Sequence, residues 1–446
     1  MNFEQIKKML ESEAKRLDIK EYDIFYVCSE GISAETLKDD ISSFSSNVEG
    51  GVNFRCIVDG HIGCAGTQMF EESEILSLVS RAAANASLIE NDEKGIIFGG
   101  SESYPEVPET NIAMPNAAEI KDFALKMQNQ LYKESEYITD GTCTGRTASS
   151  FEMKLFNSKG LDLSYKGAYE MCYAQAVVSV NGESVEGFDF LSDCSERQIT
   201  ELPKKVTALA LEKIGAGEVA SGKYKIILDG KEMRNMLSAF AGAFSGKQAL
   251  LGLSLLGDKV GEKVASECIT VVDDPRCEWN PMKMSFDGEG VATYKKNVIE
   301  KGVLKTLLYD LATAERAGVQ TTGNGQRTSY TAQVGIRPFA FYIEAGELND
   351  DALKELMGDG IYITELKGLH SGLDSVTGDF SLESAGFTVE NGKKTKAVKG
   401  FTVAGNFFDM PKNIVAVSSE IKHGGGGSTC FASPDILLGE MSVAGK

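Results

Sequence analysis

The chain has 446 residues and a formal net charge of −20. It is long enough for two or three domains with separate cores, and acidic enough to be repelled overall by phosphate backbones, so direct nucleic-acid binding is not expected. Nine cysteines (28, 56, 64, 143, 172, 194, 268, 277 and 430) form no C-x-x-C pair, which argues for reduced thiols and against a zinc ribbon or a disulfide framework.

In chain order, MNFEQIKKMLESEAKRLDI reads as an amphipathic helix. Acidic residues interrupt the place where a secretion signal carries its apolar stretch. No apolar run approaches the length of a bilayer-spanning helix, so no membrane association is expected and the expected location is the cytoplasm. Asn85-Ala86-Ser87 is then a chance glycosylation sequon. The stretches YDIFYVCSE, GISAETLKDD, ISSFSSNVEG, GVNFRCIVDG and HIGCAGTQM are short, rich in β-branched or aromatic residues and bounded by Gly, Asp or Asn. They read as a strand meander. EESEILSLVSRAAANAS follows as a helix with acidic residues in its first turn, where they complement the helix dipole. Residues 1–100 are therefore expected to form an N-terminal α+β domain.

FGGSESYPEVPETNIAMPN is proline-rich and aperiodic, which makes it a linker. Beyond it come a long helix from 117, strands through SSFEMKLFNSKGLDLSYKG and AYEMCYAQAVVSVNG, and a helix containing Pro203. Together they make a middle α+β domain over 115–215. The boundary segment GAGEVASGK mimics a phosphate loop from Gly217 to Lys223. Tyr224 replaces the Mg²⁺-binding hydroxyl residue, however, and the segment precedes a strand instead of opening a helix, so nucleotide binding is not expected. Residues 221–446 read as a large β-rich C-terminal domain. The lysines 393, 394, 396 and 399 mark a hairpin rim.

The segment 233–246, MRNMLSAFAGAFSG, puts Met233, Met236, Leu237, Phe240, Ala241 and Phe244 at helical spacing and predicts a helix with one apolar face. It lacks any side chain able to take a proton, hold a metal or attack a carbonyl. Histidine is scarce, with only His61, His370 and His423, and no G-x-S-x-G elbow is present. His61 and His370 both lie in turns. His423 and Cys430, in IKHGGGGSTCF, are soft-metal ligand candidates on a glycine-rich loop, but two ligands do not complete a zinc site.

The runs GDKVGEKVASECITVVDDP, FDGEGVATYKKNVIEKGVLKTLLYD, TGNGQRTSY, VTGDFSLESAGF, GNFFDMPKNIVAV and EMSVAG, with LFNSKGLDLSYKG upstream, resemble the TldD/PmbA family, whose members are described as metallopeptidases and as modulators of DNA gyrase. The resemblance implies an α+β fold with an N-terminal helix/strand domain, a middle helix/strand domain and a β-rich C-terminal metallopeptidase-like domain. In the TldD branch, the helix matching 233–246 carries H-E-x-x-x-H, with two zinc-binding histidines, a glutamate base and a further cysteine ligand near the C-terminus. Zinc polarises a carbonyl and lowers the pKa of bound water, and the base directs that water.

Aligned on Leu237 and Gly242, those positions are Ser238, Ala239 and Ala243 here, and Cys430 falls near the cysteine position. The chain thus resembles the PmbA (TldE) branch. The implied role is a non-catalytic subunit that binds no metal itself and joins a zinc-containing TldD-like homologue acting on unfolded peptides, with homodimerisation of the isolated chain left open. Candidates for substrate contact are His370, Gly378, Asp379 and Phe380. Two alternatives stand beside this reading: an independent peptidase built around His370, His423 and Cys430, and a gyrase-binding regulator.

Overall fold

The computed structural model describes all residues except 91, 92, 109 and 111. Its first sheet takes strands from both N-terminal segments. They are β1 (Tyr22–Leu37), β2 (Asp40–Val58), β3 (His61–Thr67), β4 (Cys143–Asn157), β5 (Asp162–Val180) and β6 (Glu183–Leu191), in the order β3-β2-β1-β4-β5-β6. Antiparallel pairing of β1 with β4 carries the sheet across the proline-rich segment. Two-residue turns close two of its hairpins: Asp59-Gly60 joins β2 to β3 and Asn181-Gly182 joins β5 to β6, all four residues at positive φ. That conformation is the one that lets a tight turn follow the strand twist, and it is why Asp-Gly and Asn-Gly recur there.

Four helices cover this sheet: α1 (Phe3–Arg16), α2 (Glu72–Ser87), α3 (Ala117–Leu131) and α4 (Gln198–Leu211). Asn2 and Gln5 cap α1 reciprocally at 3.0 Å each, and Asn116 and Glu119 do the same for α3. Phe3, Ile6, Leu10 and Ala14 form the buried stripe of α1 and pack with Ile75, Leu78, Val79 and Ala82 of α2.

The C-terminal part contains, in order, β7 (Gly222–Leu228), α5 (Gly230–Ala239), α6 (Gly246–Leu250), β8 (Val271–Asp273), β9 (Lys296–Glu300), β10 (Val303–Leu304), α7 (Leu311–Ala317), β11 (Gly325–Gln326), β12 (Gly335–Ile336) and β13 (Ala340–Ile343). It continues with α8 (Asp350–Met357), β14 (Gly360–Lys367), β15 (Asp379–Glu390), β16 (Lys393–Asn406), β17 (Ile414–Val417), β18 (Lys422–His423), β19 (Cys430–Ser433) and β20 (Ile436–Ala444). One six-stranded sheet runs β10-β9-β8-β13-β19-β18. The other runs β16-β15-β14-β7-β20-β17 and closes on itself through an additional β16–β20 pairing, which removes most of its open edge. Residues 217–223 lead into β7, the context that excludes a phosphate loop. The lysine rim is the β15–β16 hairpin, where Lys394 pairs with Glu212 and Lys399 with Glu183. Among the described residues, no helix is long and apolar enough to cross a membrane.

Side chains from both C-terminal sheets meet α5 in one core, including Ile226, Leu228, Val271, Phe341, Ile361, Phe401 and Leu438. A buried ion cluster ties this part to the first sheet. Asp23 of β1 accepts from Arg327 at 3.0 and 2.7 Å and from Arg55 of β2 at 2.9 Å. Arg55 also lies 3.7 Å from Glu289. Burial would raise the Asp23 carboxyl, but Arg327 and Arg55 outweigh it and hold the group below its ordinary range. Glu289 goes the other way. Burial, opposed by Arg55 and reinforced by Asp287 and Asp310, pushes it up to about 8.

Glu289 therefore keeps its proton in the folded chain where an unfolded chain, at the ordinary 4.5, has lost it. Its contribution is complete below that value and fades as pH rises through about 8. The thermal midpoint of the wild type should fall more steeply between about pH 5 and pH 8.5 than that of Glu289→Gln, at fixed ionic strength. Parallel profiles would show that Glu289 ionises normally.

Candidate functional site

The site grows from the junction of β7 and α5. Asp229 ends the strand and caps the helix, accepting from the Lys231 amide at 2.8 Å. Three further side chains converge on it. Tyr362 of β14 donates its hydroxyl to Asp229 (2.7 Å) and faces Asp435 at 3.0 Å. Lys422 of β18 lies 2.9 Å from Asp229 and 2.5 Å from Asp435, and Asp435 accepts the Gly230 amide at 2.7 Å. Burial would lower the Lys422 ammonium, but Asp229 and Asp435 outweigh it and raise the group above its usual range. Asp435 is raised by burial and by Asp229, against the pull of Lys422.

From this anchor α5 runs with Met233, Met236 and Leu237 buried in the core. Its other face carries Arg234, Asn235 and Ser238 into an open depression of about 240 Å³, completed by Gly424, Gly425, Cys430 and Phe431. Ser238 and Cys430 thus share one cavity although far apart in the chain. Cys430 is 4% exposed and is held by its amide donating to the Phe339 carbonyl at 2.7 Å. Burial, aided by Cys277 and Asp273, pushes its thiol well above the ordinary range. Arg234 donates to the His423 carbonyl and sits over the Phe190 ring, 5.3 Å from its centre. The His423 ring stacks on Trp279 at 5.4 Å, and its Nδ1 faces the Gly424 carbonyl.

The helix expected over 233–246 stops at Ala239. Phe240 leaves helical geometry (φ −100°, ψ 10°), Ala241–Phe244 form a 3₁₀ turn and Ser245 is extended. Leu308 supplies the reason. Its amide takes the Phe244 carbonyl and its carbonyl takes the Gly246 amide, each at 2.8 Å, so backbone groups that a continuous helix would use are engaged elsewhere. Gly242 adds a weak helix former at the same point. The aromatic stripe survives the break, with Phe240 stacking on Phe407 at 4.2 Å and Phe244 meeting Phe341 edge-on at 5.1 Å.

Ala243 is consequently buried, while Ser238 is exposed and Ala239 half-buried. One hydroxyl, two methyl groups and a buried thiol do not fit catalytic zinc, which takes three protein ligands of imidazole, carboxylate or thiolate type. Among the described residues, no group of three or more His, Cys, Asp or Glu is arranged to hold a metal.

His370, Gly378, Asp379 and Phe380 do not line the depression. His370 is exposed in the turn after β14, Gly378 adopts φ +83°, and Asp379 accepts from Asn406 at 2.8 Å. Phe380 is a core residue. His61 begins β3 and is half-buried, not in a surface turn. Arg234, Asp229, Tyr362, Lys422 and Asp435 were not singled out from the sequence. The one available signal was Arg234 lying a helical turn before Ser238 on the polar face.

Residues 221–445 match the family profile described as the PmbA/TldA metallopeptidase C-terminal domain, and residues 22–86 match that of its domain 1. Metalloprotease PmbA of Escherichia coli O157:H7 is 24% identical over 437 residues, which are 93% of this chain and 90% of that protein. A Thermotoga maritima protein named as a modulator of a DNA gyrase has a crystal structure similar to this one, with a TM-score of 0.89 at 27% identity, covering 99% of this chain and 100% of that one. TldE of Thermococcus kodakarensis shares the fold, with a TM-score of 0.87 at 22% identity over 98% and 99% of the two chains.

Burial sets the expected stability effects on α5 and the turn that follows. Phe240 is fully buried and stacked, so Phe240→Ala should cost about 3–5 kcal/mol. Ser238 is exposed, and Ser238→Ala should stay within about 0.5 kcal/mol of wild type. Denaturant titrations that rank the two in the opposite order would contradict the packing described.

Proposed function

We propose, from the premise that this chain belongs to the TldD/PmbA metallopeptidase family, that it is the non-catalytic subunit of a zinc peptidase complex. The catalytic partner is an H-E-x-x-x-H homologue, and the substrates are unstructured peptides, including precursors that mature by trimming. The observation that carries this reading is α5 with the turn that follows it. Ser238, Ala239 and Ala243 stand where the family's resemblance places two metal ligands and the base, and Arg234 lines the same depression as Cys430. A fixed cation at that place works against a second, divalent one.

A subunit without base or Lewis acid does not lower the chemical barrier itself. It acts by holding an extended peptide, and orientation alone supplies several kcal/mol to a reaction. The short edge strand β18, at one end of its sheet and beside the depression, offers a place for strand addition. An independent peptidase built on His370, His423 and Cys430 finds little support, because His370 lies outside the depression, His423 is stacked on Trp279 and Cys430 is buried with a raised thiol. The name of the Thermotoga maritima protein motivates the gyrase-regulator alternative.

Adding this chain to an H-E-x-x-x-H homologue of the same organism should raise cleavage of an unfolded protein at least about tenfold, a gain of ~1.4 kcal/mol. A complex should be visible by light scattering, and mutating the partner's glutamate should abolish the reaction. Full activity of the homologue alone, with no complex formed, would overturn the proposal. Direct binding to purified gyrase would then favour the regulatory reading.

A further inference from the structure

The depression beside Ser238 holds the Arg234 guanidinium, on which Asp189, Glu232 and Asp229 act only through their field. The carboxylates nearest in the fold are all committed. Asp189 is held by Lys205 at 2.7 Å and Lys231 at 2.8 Å, and Asp229 and Asp435 share Lys422. Glu232, two residues earlier on α5, is pushed up to about 7 by burial, so it carries only part of a charge near neutral pH. Arg234 has no ion-pair partner among the described residues. Its one hydrogen bond in the structure goes to a neutral carbonyl, that of His423, and its cation faces the Phe190 ring.

A guanidinium has five N–H donors in a planar fork matched to a carboxylate, and most of this one's donors are uncommitted. The same face adds the Asn235 amide, which donates to Glu232 at 3.4 Å and keeps a second N–H, and the Ser238 hydroxyl, which has no hydrogen-bond partner among the described residues. On the opposite wall Gly424 and Gly425 carry no side chain, and Gly424 lies against the Arg234 guanidinium.

We propose that this depression binds a peptide carboxylate, with the Arg234 guanidinium as its charge partner and Asn235 and Ser238 as hydrogen-bond donors. The carboxylate is the C-terminal group of an unstructured peptide or an acidic side chain within it. The inference rests on the peptide-positioning role proposed above and gives that role a chemical preference: this subunit selects peptides by negative charge, at the position where the catalytic branch places its metal.

The test uses the full chain and fluorescein-labelled, unstructured decapeptides followed by anisotropy. One peptide has a free C-terminus and no Asp or Glu, a second is its C-terminal amide, and a third is the amide with a single internal Glu. At least one carboxylate-bearing peptide should bind about tenfold tighter than the carboxylate-free amide. Which of the two does so identifies the source of the carboxylate. Arg234→Gln should erase the difference, Arg234→Lys should restore part of it, and Ser238→Ala should reduce it without loss of fold by circular dichroism. Equal affinity for all three peptides, a preference that survives Arg234→Gln, or no binding of any peptide would each overturn the carboxylate site. The subunit reading is judged separately by stimulation of the homologue, which any carboxylate-independent mode of peptide holding would leave intact.

Discussion

Lys422 lies between two buried carboxylates, Asp229 and Asp435, and the site depends on that contact. Without the ammonium, two acidic groups would face each other in a region shielded from water, and breaking a buried pair in this way costs about 3–5 kcal/mol. With it, three pieces of chain are pinned at one point: the start of α5 through Asp229, the approach to β20 through Asp435, and β18 through Lys422 itself. Tyr362 adds a strand of the closed sheet to the same knot. The glycine-rich loop that walls the depression begins one residue after β18, so its position over α5 follows from where Lys422 is held.

What the knot positions is a helix with two distinct faces. The apolar side of α5 and the turn that follows are packed as a core demands, with Phe240 on Phe407 and Phe244 against Phe341. The polar side presents a guanidinium, an amide and a hydroxyl, all hydrogen-bond donors. The buried cluster of Asp23, Arg55, Arg327 and Glu289 serves a related end at the other border of the C-terminal part, fixing the first sheet against it. The first sheet in turn brings Phe190 under Arg234 and Met171 beside Gly425. Residues of the first sheet therefore back the lining of the depression.

Much of this was legible in the sequence, and the rest was hidden for identifiable reasons. The α1 stripe at Phe3, Ile6, Leu10 and Ala14, and the Asp-Gly and Asn-Gly turns, are local signals, and local physics decides them. The α+β class follows from the same signals. The end of α5 was not legible, because periodicity continues through Phe244 while Leu308, remote in sequence, captures the backbone groups there. The pairing of Asp23 with Arg327 spans 304 residues and leaves no periodic trace. Ser238 and Cys430 were connected only through the family resemblance, and in the fold they line the same cavity. Arg234 gives no distinctive local signal, because an arginine on the polar face of a helix is ordinarily a solvated residue. Only the fold reveals that the carboxylates around it are engaged with other partners.

The claim at the centre of this account is that the α5 face presents one fixed cation, Arg234, and neutral donors instead of a metal. Its most direct measurement is the zinc content of the isolated chain by elemental analysis, after incubation with excess zinc and dialysis against metal-free buffer. The account predicts far less than one zinc per chain, unchanged by Cys430→Ala. One tightly held zinc per chain, lost on Cys430→Ala, would contradict it.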